Sequence, residues 1–309
     1  MRIQRFGGSG LFALAFASAG LAASVPNTPD GPAQVIVTVS PNQNLNRSTI
    51  LEKGDVTLFE NKTPVPVIGL QRMTGDLASM QLFVLLDDST RSSSLGTQLS
   101  TLKEFIASLP STTQVAVGYM HNGTFGLSQA FTTDHQKAST MVRLPASVPG
   151  ENGSPYFVLS DLAKHWPSKE PTGRRAVLML TDGVDRYYSA SLIADPYVEA
   201  AKHDALKAGI MVYAVYLRGA GFYGRGDWLT TIAQSRLSEV SRETGGYAYF
   251  EGMSDPVTIS PFLQDLQVRF DHQYQLTFKP LGMKGIQPVK LKPESSGLKV
   301  YGPEHIYVR

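Results

Sequence analysis

The chain has 309 residues, 42% of them hydrophobic and 17% charged, the proportions of a folded globular protein and not of a disordered one. It has no cysteine, which excludes a disulfide framework, a thiolate metal site and a thiol nucleophile. With 28 basic against 26 acidic residues and no basic tract, it is a poor fit to nucleic acid or to an anionic membrane.

Residues 1–24 read as a signal peptide. Arg2 and Arg5 make a basic start, and Leu11 to Ala23 is apolar and rich in small residues. Ala17-Ser18-Ala19 and Ala22-Ala23-Ser24 offer cleavage sites. The apolar core is shorter than the ~20 residues of a membrane span, and an uncleaved N-terminal anchor is the alternative. The expected location is extracytoplasmic, in a bacterial periplasm or secreted, with no cysteine to carry a lipid anchor. Losing the two arginines brings the 28 basic residues level with the 26 acidic ones.

Residues 33–75 form a β segment. AQVIVTVS alternates apolar and polar residues, as a half-buried strand does. DVTLFEN and TPVPVIGLQ follow as two further strands around Asn61-Lys62, with Pro64 and Pro66 placing the second at a sheet edge.

Residues 78–257 alternate strand and helix signals. The expected strands are Leu82–Asp87, Gln114–Met120, Ala176–Thr181, Met211–Leu217 and Tyr247–Glu251. Leu95, Leu99, Leu102, Phe105, Ile106 and Leu109 keep a helical period, so Gly96–Leu109 reads as an amphipathic helix. Pro196–Ala208 and Trp228–Thr244 read as helices closed by Gly209 and Gly245. This order predicts an α/β fold with a doubly wound, Rossmann-like parallel sheet.

Residues 258–309 open with a helix, PFLQDLQVRF, and continue as strands in QYQLTFK, IQPVKLK and LKVYGPEHIYVR. Both terminal segments are too small to be stable alone. They are expected to pair into a small β-sandwich flanking the α/β domain.

Two segments carry the chemistry. Gln81–Ser93, QLFVLLDDSTRSS, and Arg175–Asp185, RAVLMLTDGVD, are apolar runs that end in aspartate beside a hydroxyl residue. Runs of this kind read as buried parallel strands. Their polar ends then lie at the carboxyl edge of the sheet, where open α/β sheets bind ligands. Two carboxylates with hydroxyls make a hard-oxygen site suited to Mg²⁺ or Mn²⁺.

These motifs resemble the von Willebrand factor type A domain: a strand, Asp-x-Ser and a helix, then a strand ending in Thr-Asp-Gly about ninety-five residues on. ILEKGDVTLFENKTPVPVIGL, with YQLTFKP and HIYVR after the domain, is similar to the secreted acidobacterial-type VWA-related family. The resemblance covers most of the mature chain. It implies a non-enzymatic binding or adhesion protein, with a metal-ion-dependent adhesion site whose ion meets an acidic residue of a partner. The usual first motif is Asp-x-Ser-x-Ser, with a Thr from a middle loop. On this chain the implied metal ligands are Asp87, Ser89, Ser154 and Asp182, with Ser154 standing in for the Thr. Arg91 stands where the second Ser should be; it either pairs with Asp87 or Asp182, or takes the partner's carboxylate itself. Asp88, Thr90 and Ser92 form a second register, with the side-chain faces reversed. His121, at a strand end, lines the site in this reading or is a polar loop residue.

Two other classes stay open: a Mg²⁺-dependent phosphoryl-transfer enzyme built on the Asp87-Asp88-Ser89-Thr90 string, and an envelope scaffold with a vestigial site. The six histidines are scattered, against a zinc site, and no Gly-x-Ser-x-Gly, Walker or dinucleotide motif is present. Arg225-Gly226-Asp227 and the Asn-x-Ser/Thr triplets read as chance. Tyr187, Tyr188, Tyr197, Phe222, Tyr223 and Trp228 follow the later strand ends and together suit a protein-binding rim.

Overall fold

The computed structural model describes residues 31–40, 50–148, 153–188, 195–218, 226–295 and 297–309; the proposed signal peptide lies outside them. Strand β1 (Ala33–Ser40) turns Ala33, Val35, Val37 and Val39 into a closed apolar core. It is followed by β2 (Val56–Glu60), β3 (Thr63–Val65) and β4 (Val67–Arg72). Asn61 and Lys62 both take positive φ in the β2–β3 turn, which confirms the turn read from the sequence.

The middle of the chain runs β5 (Met80–Asp87), α1 (Ser92–Gly96), α2 (Leu99–Ser108), β6 (Thr113–His121), β7 (Thr124–Thr132) and α3 (His135–Thr140). It continues through α4 (Pro155–Lys164), β8 (Arg174–Thr181), α5 (Pro196–Ala208), β9 (Ile210–Tyr216), α6 (Gly226–Glu243) and β10 (Ala248–Tyr249). The chain ends with α7 (Ser260–Asp271), β11 (Gln273–Phe278), β12 (Gly285–Pro293), β13 (Lys299–Tyr301) and β14 (His305–Val308).

Six central strands form one sheet in the order β10-β9-β8-β5-β6-β7. β5 and β8 are buried along their lengths, because alternate residues face helices on either side. Leu82, Val84 and Leu86 join a core with Leu102, Ile106, Leu263 and Phe270 on one face. Phe83 and Leu85 join Tyr156, Leu159, Val198, Leu237 and Val240 on the other. The fold is therefore α/β and doubly wound, as the sequence implies. β7 is the exception to the parallel pattern: it returns antiparallel to β6 through a hairpin at Asn122 and Gly123, both at positive φ. The expected helix over Gly96–Leu109 is α2, preceded by a separate short helix, α1.

The two chain ends build the predicted sandwich. One four-stranded sheet runs β13-β1-β11-β4 and the other β14-β12-β2-β3, with Val35, Leu58, Leu276, Phe278, Ile306 and Val308 between them. LKVYGPEHIYVR is split at Gly302-Pro303 into two strands, one in each sheet. Ile36, on the outer face of β1, packs against the α/β core. At the junction, Arg174 Nη1 donates to Gln273 Oε1 at 2.8 Å, and Gln273 Nε2 donates to Tyr213 Oη at 3.1 Å.

Candidate functional site

The chain enters the sheet at β5, steps to β6 on one side and returns to β8 on the other. The order reverses between β5 and β8, so the crevice beyond their carboxyl ends is a topological switch point, the general ligand position of open α/β sheets. Leu86 pairs with Leu180 in register, which brings Asp87 and Thr181-Asp182 side by side there.

Asp87 is almost fully buried. Its Oδ1 accepts from Ser89 N at 3.0 Å and from Ser89 Oγ at 2.8 Å, and its Oδ2 accepts from Thr181 Oγ1 at 2.8 Å. Burial, reinforced by the charge of Asp182, pushes its carboxyl up to about 6 against these bonds. Asp182 is as deeply buried. Its Oδ1 accepts from Val184 N at 3.0 Å, and its Oδ2 accepts from Arg186 Nη2 at 2.6 Å. Burial alone would lower the Arg186 guanidinium, but the charge and hydrogen bond of Asp182 outweigh it and hold it above its ordinary value. Gly183 explains the third residue of Thr-Asp-Gly. Its φ is +66°, and a Cβ there would lie 2.7 Å from Leu237.

The register of the first motif follows from these contacts. Asp87 points to the β8 side, whereas Asp88, on the opposite face, is bound by the segment after α3. Asp88 Oδ1 accepts from Arg143 Nη1 at 2.6 Å and from Ala146 N at 2.9 Å, and Oδ2 accepts from Ser147 Oγ at 3.3 Å. Burial opposes its ionisation, but Arg143 and the Ala146 amide prevail and hold the carboxyl below its usual range. Arg143 also lies over the Tyr119 ring, 3.9 Å from its centroid. Asp88 is thus a structural clamp. Thr90 Oγ1 donates back to the Asp87 carbonyl at 2.5 Å, closing the turn that starts α1.

The other sequence-derived residues are placed as follows. Ser154 is fully buried and caps α4, and its Oγ donates to Asp185 Oδ2 at 2.7 Å. Asp185 Oδ1 in turn accepts from the Tyr187 and Tyr188 amides at 2.9 and 3.0 Å. Arg91 is exposed at the N-cap of α1; among the described residues its side chain is paired with neither Asp87 nor Asp182. The pairing expected of Arg91 is made by Arg186. His121 ends β6 one strand away, exposed, with Nε2 3.4 Å from Asn122 Nδ2 in the hairpin turn.

Beside the aspartates stands an aromatic trio. The Phe157 ring centroid is 4.5 Å from that of Tyr197 and 5.9 Å from that of Tyr187. Tyr187 is 61% exposed and Phe157 40%. Tyr187 lies over Gly153, where a Cβ would sit 2.2 Å from its ring. Phe222 and Tyr223 lie outside the described residues, as does Arg225 of the Arg-Gly-Asp tripeptide; Asp227 opens α6.

A divalent ion of the adhesion type needs a near-octahedral set of oxygens. Asp87, Ser89 and Asp182 are the right donor chemistry, but the set falls short. Ser89 Oγ is bound to Asp87, Ser154 Oγ to Asp185, and the third hydroxyl position is Arg91. Asp182 already holds a guanidinium. The residues as arranged do not complete a metal shell. Sequence reasoning missed Arg186, although its place four residues after Asp182 was a signal.

No protein-family model matches the chain, and no curated protein matches it. Among solved structures it is similar to an aerotolerance-related membrane protein from Bacteroides fragilis carrying multiple mutations to serine, at 13% identity over 62% of this chain and 99% of that one, with a TM-score of 0.44. It is also similar to BatB from Bacteroides thetaiotaomicron, at 14% identity over 61% and 98%, with a TM-score of 0.43. A third similar structure is the vWF domain of the type V pili tip protein Mfa5 from Porphyromonas gingivalis, at 9% identity over 62% and 95%, with a TM-score of 0.42. The strand order, the helices on both faces, and Asp-x-Ser and Thr-Asp-Gly side by side at the switch point are this chain's own features. The α/β unit is a doubly wound sheet with helices on both faces, the architecture that the resemblance to the von Willebrand factor type A domain implies.

Proposed function

We propose that this is an exported, non-enzymatic binding protein that recognises an acidic group of a partner at the carboxyl edge of its six-stranded sheet. The observation that carries the reading is the buried Asp87–Asp182 pair with Arg186 bonded to it. Asp182 adds to the resistance of buried Asp87 to ionisation, and a pair of buried carboxylates disfavours a folded state unless a cation offsets them. A cation fixed there gives an incoming carboxylate a charged, geometrically defined partner. In this reading Arg186 supplies the charge that the resemblance assigns to a metal, and Arg91 adds a second, exposed cation nearby in sequence. Phe157, Tyr187 and Tyr197 add an aromatic rim of the kind that anchors protein interfaces.

Mg²⁺ or Mn²⁺ remains part of the proposal as a competitor of Arg186 for Asp182; below about pH 6, where Asp87 keeps its proton, Asp182 and Arg186 balance and leave the site open to an acidic group. Export rests on the basic and apolar character of residues 1–24; among the described residues no helix is long and apolar enough to cross a membrane.

The test is capture of labelled acidic peptides, half of them with an aromatic residue beside the acid, by the mature chain. Binding is expected to weaken at least ~10-fold in Tyr187→Ala and in Arg186→Gln, about the loss of one charge-assisted contact. Peptides that bind both variants as well as the parent would defeat the proposal, and hydrolysis of a generic phosphate ester with Mg²⁺, lost in Asp87→Asn, would favour the enzyme.

A further inference from the structure

At the opposite end of the sheet, a cavity of about 330 Å³ lies between the amino ends of β8 and β9, the C-terminus of α5 and the sandwich strands β1, β11 and β14. Arg174, Arg175, Lys207 and Arg309 all line it, and among the described residues no aspartate or glutamate does. Glu243 reaches its edge only through a hydrogen bond with His305. The remaining wall mixes apolar residues such as Ile36, Ile210 and Ile306 with polar ones, Gln34, Thr244 and Gln275 among them.

The two arginines are the unusual feature. They are adjacent on β8 and project to opposite faces, so they reach the cavity from both sides of the sheet edge. Arg174 is 6% exposed, yet its Nη atoms bond only to neutral oxygens, those of Phe270, Gln273 and Ala78, and its Nε has no partner. Arg175 donates from Nη1 to the Ala208 carbonyl at 3.4 Å, and its Nε also lacks a partner. Neither forms an ion pair among the described residues. A buried guanidinium without a counter-charge is unfavourable. Burial pushes Arg174 down to about 10, with only partial relief from the neighbouring Tyr213 and Asp271, and lowers Arg175. Neither carboxylate of the Asp87 site is near enough in the sheet to relieve them, since that site is at the other end of β8.

We propose that this cavity binds a small organic phosphate: a phosphoryl head against Arg175 and Lys207, in the field of Arg174 and Arg309, and an apolar body along the aliphatic wall. Several cations with no aspartate or glutamate among them match a head of charge near −2 better than a single carboxylate. The volume lies in the range of small-ligand sites. This site is separate from the proposed partner-binding edge and does not depend on it.

The test is calorimetric titration of the mature chain with phenyl phosphate, inorganic phosphate and phenylacetate. Saturable binding of phenyl phosphate is expected, tighter than that of the other two, falling roughly tenfold in Arg175→Gln and in Lys207→Gln and unchanged in Asp182→Ala. Lys207 is exposed, so its variant reads binding without threatening the fold. Absence of saturable binding, equal affinity in parent and both variants, or tighter binding of phenylacetate would each overturn the assignment.

Discussion

Arg186 donates to Asp182 across 2.6 Å at the bottom of the switch-point crevice, where the resemblance to metal-dependent adhesion sites would put an ion. A guanidinium and a divalent cation cannot share one carboxylate oxygen without mutual repulsion. Arg186→Gln is therefore expected to bind Mn²⁺ more tightly than the parent does. Without metal, the same variant is expected to lose about 3 kcal/mol of stability, because a buried carboxylate pair loses its counter-charge. Calorimetric Mn²⁺ titrations of both proteins, beside urea unfolding with a chelator present, test this. Equal Mn²⁺ affinity would mean that Arg186 does not compete for the site.

Asp87 gives a pH signature. Its folded value of about 6 lies above the ordinary 3.8, so the native state holds the proton more tightly than the unfolded chain does. The stabilisation is complete below pH 3.8 and is lost as pH rises through about 6. A rise of this size corresponds to about 3 kcal/mol. The stability of Asp87→Asn should fall less than that of the parent between pH 4 and pH 8, by an amount of that order. Urea titrations at the two pH values decide it, and parallel losses in the two proteins would rule out the raised carboxyl.

The sequence revealed the scaffold because burial leaves a clear pattern. VLL and VLML runs read as central strands since both faces of the sheet are covered, and AQVIVTVS read as a sandwich strand since only one of its faces lies in the sandwich core. β7 was missed because TFGLSQAFT lies at an edge, mostly exposed or half-buried, and Asn122-Gly123, whose turn announces it, falls within one of the Asn-x-Ser/Thr triplets that read as chance. The aspartates were legible because charge directly after an apolar run is rare. Their partners were not. Whether Arg91 or Arg186 reaches Asp182 depends on the path of the loop after Gly183, which spacing alone does not determine. Likewise, Ser154 read as a loop ligand, whereas the Ser-Pro pair is also the signature of a helix start, and the structure uses it to cap α4 and hold Asp185.

Asp88 carries a different consequence from its neighbour. It gathers Arg143, the Ala146 amide and Ser147 Oγ, and its own carbonyl accepts from Ser147 N at 3.2 Å. Removing its side chain strands Arg143, the Ala146 amide and the Ser147 hydroxyl, so Asp88→Ala is expected to destabilise the fold by about 2 kcal/mol. Because its carboxyl is held below the ordinary value, its contribution is present above pH 3.8 and is lost as the pH falls further. Acidic-peptide capture by the folded variant should match the parent. Capture lost at full stability would place Asp88 in the recognition site and revive the second register.

Gly183 tests whether the crevice is shaped by backbone geometry. It stands between Asp182 and the Val184 amide that the Asp182 carboxylate accepts, at a φ that L-residues with a Cβ rarely adopt. A Cβ there would also meet Leu237 at 2.7 Å and the Ala233 carbonyl at 3.2 Å. Gly183→Ala would force the loop to flatten or α6 to move outward. Either response should draw Val184 N from Asp182 and shift Arg186 with it. The expected outcome is a loss of about 2 kcal/mol or more, accompanied by weaker acidic-peptide capture. The double variant Gly183→Ala, Leu237→Ala makes room for the methyl group but not for the dihedral. If φ is the constraint, the double variant should recover neither stability nor capture. Recovery of both would assign the requirement for glycine to the helix contact and leave the loop conformation free.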